Sequence, residues 1–231
     1  MKWMKAVQLA ILPMVMVLMF ILALTGCGQT EGEAEPADDQ TLQEETAAAD
    51  QTDGAQAKTL VVYFSRTGEQ YGVGEIEKGN TAIVADIIAE QTVADTFEIL
   101  PKEDNYPYTY DELTEVAKQE QNDNARPAIK DEVPDLSEYE TIFIGAPVWW
   151  GDWPMIMYTF FEDNQDVLAG KTLFPFSTHA GSGLSGFDRK LAGACPDSTV
   201  GEGIAIEGTD AQNDQAGVKE SVSNWLAGLG Y

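Results

Sequence analysis

The chain has 231 residues, and 39 acidic against 13 basic side chains give it a formal charge of −26. So acidic a body excludes nucleic acid as a partner and direct docking on anionic lipid headgroups, and suits a cationic partner or simple solubility. Two cysteines and one histidine, with no His/Cys cluster at ligand spacing, exclude a disulfide framework and predict no metal site.

Met1 to Lys5 carries two lysines and no acid, residues 6–24 are nearly all apolar apart from Gln8 and Pro13, and Leu24-Thr25-Gly26-Cys27 follows. A basic start, an apolar core and small residues before a cut describe an export signal. The alternative is a retained transmembrane anchor, since the apolar stretch is just long enough to span a bilayer. The four-residue ending resembles the bacterial lipobox, which implies cleavage before Cys27 and lipidation of that cysteine. Two or three acyl chains there anchor stably where one is marginal. The expected organisation is a lipoprotein signal peptide at 1–26, a lipidated cysteine and acidic tether at 27–57, and a folded domain at 58–231. The expected location is the extracytoplasmic face of the cell membrane.

Residues 28–57 hold nine acidic side chains, from Glu31 to Asp53, and no basic one. Such a segment buries too little apolar area to offset its ordering entropy and reads as an extended, self-repelling spacer. With Cys27 lipidated, Cys195 stands alone. It follows a run of small residues and precedes Pro196, and it reads as a buried, inert thiol.

In the domain, strand and helix patterns alternate. Thr59 to Phe64 is a β-branched and aromatic run without charge, a short buried strand. Ser65-Arg66-Thr67-Gly68 follows it. Thr81 to Gln91 is a helix with Ile83, Val84, Ile87 and Ile88 on one face. Thr96 to Leu100 is a strand, 101–107 a loop, and Tyr110 to Asn122 a helix ended by Arg126-Pro127 with Leu113, Val116 and Ala117 inward. Thr141 to Ala146 is the next buried strand. Pro154 opens a helix through Phe161. Thr172 to Ser177 is a fourth strand, Leu184 to Ala192 a helix, and 198–206 a fifth strand kinked by Gly201 and Gly203. Asp210 to Leu226 is the last helix, capped by Asp210. Five strands alternating with helices predict an α/β three-layer sandwich around a five-stranded parallel sheet. In order 2-1-3-4-5, the loops after strands one, three and four converge on one crevice at the strands' C-terminal ends.

Those three loops carry the chemistry. The first offers Ser65, Thr67, Asn80 and Thr81 as donors at a helix N-terminus, a place suited to a phosphate. It lacks the Gly-Lys-Ser/Thr of a triphosphate loop and the Gly-x-Gly-x-x-Gly of a dinucleotide turn. The second, Pro147-Val148-Trp149-Trp150-Gly151, sets two indoles that cannot both enter one core. One stacks on a flat ligand, or both pack. The third, Thr178-His179-Ala180-Gly181-Ser182-Gly183, is rich in N–H and hydroxyl groups that suit a polar ring edge. His179 either donates to a ring carbonyl or developing anion, or sits as a structural surface residue. A monophosphate at one end and a flat, polar-edged ring at the other describe flavin mononucleotide.

With these loops, the domain resembles the bacterial flavodoxin-like family, and Asn124-Ala125-Arg126-Pro127 adds to the likeness. The resemblance covers nearly all of 58–231. It implies FMN as cofactor, with Ser65, Arg66, Thr67, Asn80 and Thr81 on the phosphate. Pro147, Val148, Trp149, Trp150 and Gly151, with Thr178, His179, Ala180, Gly181 and Gly183, would flank the ring. The chain departs from the family at 69–79, where the usual Thr-Gly-Asn-Thr turn is split. Either the insertion loops outward and Asn80-Thr81 return to the phosphate, or the cradle is rebuilt. Either Gly68 or Gly79 fills the turn position, and Tyr71 comes within reach of the cofactor or a partner. The function expected is electron transfer at the membrane, with redox proteins or membrane electron carriers as partners. The alternatives are an FMN-dependent NAD(P)H reductase acting on quinones or similar acceptors, with His179 or Tyr71 assisting protonation, and a flavin-free binding lipoprotein.

Overall fold

A computed structural model of the protein describes residues 58–231; the expected signal peptide, Cys27 and the expected tether lie outside the described residues. In chain order the elements are β1 (Lys58–Tyr63), β2 (Gly68–Gln70), β3 (Gly74–Ile76), α1 (Asn80–Thr92), β4 (Asp95–Glu98), α2 (Tyr110–Asp123), β5 (Tyr139–Pro147) and α3 (Met155–Asp163). There follow α4 (Gln165–Leu168), β6 (Thr172–His179), α5 (Phe187–Ala194), β7 (Thr199–Val200), β8 (Ile204–Glu207), α6 (Gly208–Asn213) and α7 (Gln215–Leu229).

The main sheet runs β4-β1-β5-β6, with β7 and β8 both on the far edge of β6, and every pairing in it is parallel. Counting β7 and β8 as one interrupted strand, this is the expected order 2-1-3-4-5. Alternation along β1 divides the core. Leu60, Val62 and Phe64 pack with Leu113, Ile156, Phe160 and Phe187 on one side of the sheet. Val61 and Tyr63 pack with Ile83, Ile87, Val218 and Val222 on the other. A strand buried on both faces must be apolar at every position, which is why β1 and β5 read as unbroken runs. Among the described residues no helix is long and apolar enough to cross a membrane.

Several boundaries differ from expectation for local reasons. The fifth strand is split because residues 201–203 press against β6. A Cβ on Gly203 would lie 2.6 Å from the Pro175 carbonyl oxygen, and one on Gly201 would overlap the Phe174 ring. Pro175 has no N–H to give the ladder at that point. The last helix is broken, and Asp214 rather than Asp210 caps its long part by accepting the Gly217 N–H at 3.1 Å. Pro154 is the N-cap of α3 and not its first helical residue. Helix α5 begins at Phe187 instead of Leu184. Helix α2 ends at Asn124, whose φ of 50° is the left-handed stop that short amides tolerate, before Arg126-Pro127 is reached. Strand β6 continues two residues past Ser177, so Thr178 and His179 are its last rungs and not loop residues.

Candidate functional site

The segment 69–79 is an antiparallel hairpin, with Glu69 opposite Glu75 and Gln70 opposite Gly74. Two facing carboxylates repel, but each has its own donor. Glu69 accepts the Tyr110 N–H at 3.0 Å, at the N-terminus of α2 where the helix dipole favours an anion, and Glu75 accepts the Tyr108 hydroxyl at 2.5 Å. The Glu69 N–H donates to the Tyr108 carbonyl at 3.0 Å. The hairpin is thereby fastened to the chain entering α2. Beyond it the backbone returns to Ser65, whose buried Oγ accepts the Ala82 N–H at 3.0 Å. A Cβ on Gly79 would overlap Ser65 Oγ and come within 2.6 Å of the Arg66 carbonyl oxygen. Of the two arrangements left open by the sequence, the outward loop with a returning Asn80-Thr81 is the one adopted. Gly79 fills the tight turn, and Gly68, at a φ of 92°, opens the hairpin.

Around this turn the donors sort by what already holds them. Ser65 Oγ accepts from Ala82, so its own hydroxyl hydrogen is left to donate. Asn80 Oδ1 accepts from Gln212 Nε2 at 2.8 Å, which orients the Asn80 amide N–H groups away from that partner. Thr81 and Thr178 share a hydroxyl hydrogen bond at 2.7 Å. Thr67 is exposed. Gly79, the N-cap of α1, has no side chain to give, and Ser65 Oγ from the first loop accepts the Ala82 N–H instead. Arg66 lies beside the turn with both Nη groups engaged and its buried Nε–H without a partner. It gives Asp104 two hydrogen bonds of 2.8 and 2.9 Å, gives the Tyr106 carbonyl one of 3.1 Å, and lies over the Tyr106 ring.

The two tryptophans diverge. Trp149 and Asp152 exchange both backbone hydrogen bonds across a tight turn whose central residues, Trp150 and Gly151, have φ of 51° and 72°. Two left-handed central residues make a primed turn, which glycine enters freely and tryptophan does not. Trp149 meets Phe64 and Tyr106 edge to face at 5.4 and 5.3 Å. Trp150 remains 54% exposed and lies along α2. There its Nε1–H donates to the Thr114 carbonyl at 2.9 Å, and the Lys118 ammonium sits 5.1 Å from its ring centre.

At the end of β6, the Val148 N–H donates to the Thr178 carbonyl and draws the second and third loops together. His179 Nδ1 accepts the Gly181 N–H at 3.0 Å, so in the neutral ring the proton is on Nε2. Partial burial lowers its affinity for a second proton, with Glu207 and Asp210 pulling the other way.

Asn80, Pro147, Val148, Trp149, Thr178, His179 and Ala180 thus line one crevice at the C-terminal ends of the central strands, together with Gln70, Tyr71, Tyr110 and Gly208. Trp150, Gly151, Gly181 and Gly183 stand outside its lining. Trp150 instead borders an adjoining hollow of about 360 Å³ between the hairpin, α2 and the Trp149–Asp152 turn. The two spaces share Gln70, Tyr110, Val148 and Trp149. Gln70, Tyr110, Gly208 and Gln212 were not singled out by the sequence. Tyr110 reads there only as a helix start, and Gln70 lies in a segment without periodicity. The start of α1 suits a phosphate monoester, and the crevice beside it, about 80 Å³, offers its loops as walls to a flat ring and shares four of its lining residues with the larger hollow.

A family profile described as Flavodoxin matches residues 58–226. No curated protein shows significant similarity. Among solved structures, a candidate flavoprotein of Bacteroides eggerthii is 30% identical, with a TM-score of 0.59 over 76% of this chain and 99% of that one. Another, from Bacteroides uniformis, is also 30% identical, with a TM-score of 0.57 over 72% of this chain and 98% of that one. A flavoprotein of Lactobacillus acidophilus in complex with FMN shares the fold at 20% identity and a TM-score of 0.53, over 70% of this chain and 99% of that one.

Proposed function

This chain belongs to the flavodoxin family, and from that premise we propose that it is an FMN-binding electron carrier, held at the outer face of the cytoplasmic membrane by a lipid on Cys27. The observation that carries the flavin part is the meeting of three loops at one crevice, with Asn80, Trp149, Thr178 and His179 around it. The residues fit the cofactor: Ser65 Oγ takes only the Ala82 N–H of the first turn of α1, and the turn at Gly79 admits no side chain. A turn kept this bare beside free helical N–H groups suits a phosphate. When bound, FMN supplies the one- and two-electron chemistry.

The protein's own part is binding and electrostatics. Ser65, Thr67 and Asn80, with the first N–H groups of α1, hold the phosphate through neutral donors. The nearest arginine, Arg66, has its charge matched by Asp104. The phosphate charge is then poorly compensated, which disfavours adding an electron close by and lowers the midpoint potential. Trp149 walls the ring. His179 Nε2 is the N–H available to donate to a ring acceptor, and Gly181 fixes that tautomer. Redox proteins or membrane electron carriers are the proposed partners.

The test is the visible spectrum of the purified protein. Flavin absorption at about one FMN per chain is expected, and a colourless protein that fails to quench added FMN fluorescence overturns the flavin reading. Anaerobic NADH or NADPH should leave the flavin colour unchanged over minutes. Prompt bleaching would instead make the protein a nicotinamide-driven reductase. For the anchor, labelled fatty acid should join the wild-type chain and be absent from Cys27→Ser.

A further inference from the structure

We propose that the hollow between the hairpin, α2 and the Trp149–Asp152 turn is a second ligand site, taking a small planar aromatic compound that carries a carbonyl acceptor. This rests on the reading that FMN occupies the neighbouring crevice.

Its size and walls suit such a ligand. At about 360 Å³ it falls in the range of small-molecule sites. Tyr110, Trp149 and Trp150 give it three aromatic sides, and Leu113 and Ala117 form an apolar floor. Flat rings gain most against such walls through offset or edge contacts.

The carbonyl is called for by Gln70. Among the described residues only two buried side-chain nitrogens lack a hydrogen-bond partner, Arg66 Nε and Gln70 Nε2. Gln70 lines both the hollow and the neighbouring crevice. A buried donor without a partner is costly to keep, and a ligand oxygen there removes the cost.

The walls are held in place before any ligand arrives. Gln70 follows Glu69, which bonds the start of α2 through its carboxylate and the Tyr108 carbonyl through its N–H. Trp150 adopts a left-handed conformation unfavourable for its side chain, and its indole is fixed by the Thr114 carbonyl. A tryptophan held at such a φ beside an open hollow is backbone strain of the kind that gathers at ligand sites.

The test uses the full chain loaded with FMN, with coumarin as a redox-inert bicyclic carbonyl probe and naphthalene as its counterpart without an acceptor. Equilibrium dialysis should show one coumarin per chain, bound roughly tenfold more tightly than naphthalene, and Gln70→Leu should erase that preference. Thr114→Phe, which fills the hollow from α2, should weaken coumarin at least about tenfold while FMN affinity stays within about twofold. Mutual displacement of coumarin and FMN would overturn the proposal and give the hollow to the flavin ring. So would coumarin binding unchanged in Thr114→Phe, or no coumarin binding to the wild-type chain. If the chain holds no FMN at all, the same titration on the flavin-free protein still decides: binding blocked by Thr114→Phe keeps the second site while the flavin reading falls.

Discussion

Thr81 Oγ1 and Thr178 Oγ1 lie 2.7 Å apart inside the protein, so a single shared hydrogen ties the first turn of α1 to the last rungs of β6. Both side chains are buried. Replacing either by valine leaves the other hydroxyl unpaired, at a cost of about 1–3 kcal/mol. Replacing both removes the two polar groups together and should cost less than the sum of the single changes. Urea unfolding of the two single variants and the double variant checks this, and strict additivity would mean that the pair is not coupled.

Gly79→Ala should abolish tight FMN binding, because the new methyl group overlaps Ser65 Oγ and the Arg66 carbonyl. Gly74→Ala is the control. Its Cβ meets nothing within 4 Å, so only its left-handed φ of 85° is penalised, at about 1 kcal/mol of stability. Flavin fluorescence quenching should separate the two variants: loss of binding in the first, near-unchanged binding in the second.

The two neighbouring tryptophans should respond differently to truncation. Trp149→Ala removes a half-buried indole from contact with Phe64 and Tyr106 and should cost about 2–4 kcal/mol. Trp150→Ala gives up one hydrogen bond and one cation–π contact at an exposed site, about 1 kcal/mol. Equal losses in denaturant unfolding would contradict their different surroundings.

Cys195 is buried, and burial pushes its thiol up to about 11 from an ordinary value of 9.0. The folded chain therefore keeps the proton more tightly than the unfolded one. Its contribution is complete below about pH 9 and is lost as the pH rises to about 11. Iodoacetamide at pH 8 should leave the native thiol unmodified and label it once the chain is unfolded. Between pH 9 and 11 the stability of Cys195→Ala should fall less steeply than that of the wild type. Rapid labelling of the native protein would show an accessible thiolate.

The sheet is legible in the sequence because its central strands are buried on both faces. Thr59 to Phe64 and Thr141 to Ala146 admit no charge, and the crevice loops are found by reading on from them. Other features depend on residues far along the chain. The hairpin has three residues in each arm and no apolar alternation, and it is specified by Tyr108 and Tyr110. Arg66 looks free beside a hydroxyl-rich turn until Asp104, on another loop, claims its charge. The break before Asp214 lies inside a stretch whose periodicity reads as one helix, and only the cap on Gly217 marks it. Boundaries set by local caps are the least secure part of such a reading.

The hairpin leaves Gly68 and comes back to Gly79, and the Ser65–Ala82 hydrogen bond closes the circuit. The entropy of closing a loop grows only with the logarithm of its length, about 0.6 kcal/mol per doubling. The segment between these glycines is therefore a cheap place for a lineage to experiment. It can lengthen, shorten or change its tip residues at Tyr71 while the turn at Ser65 is preserved, much as an interchangeable bit is fitted to a fixed handle.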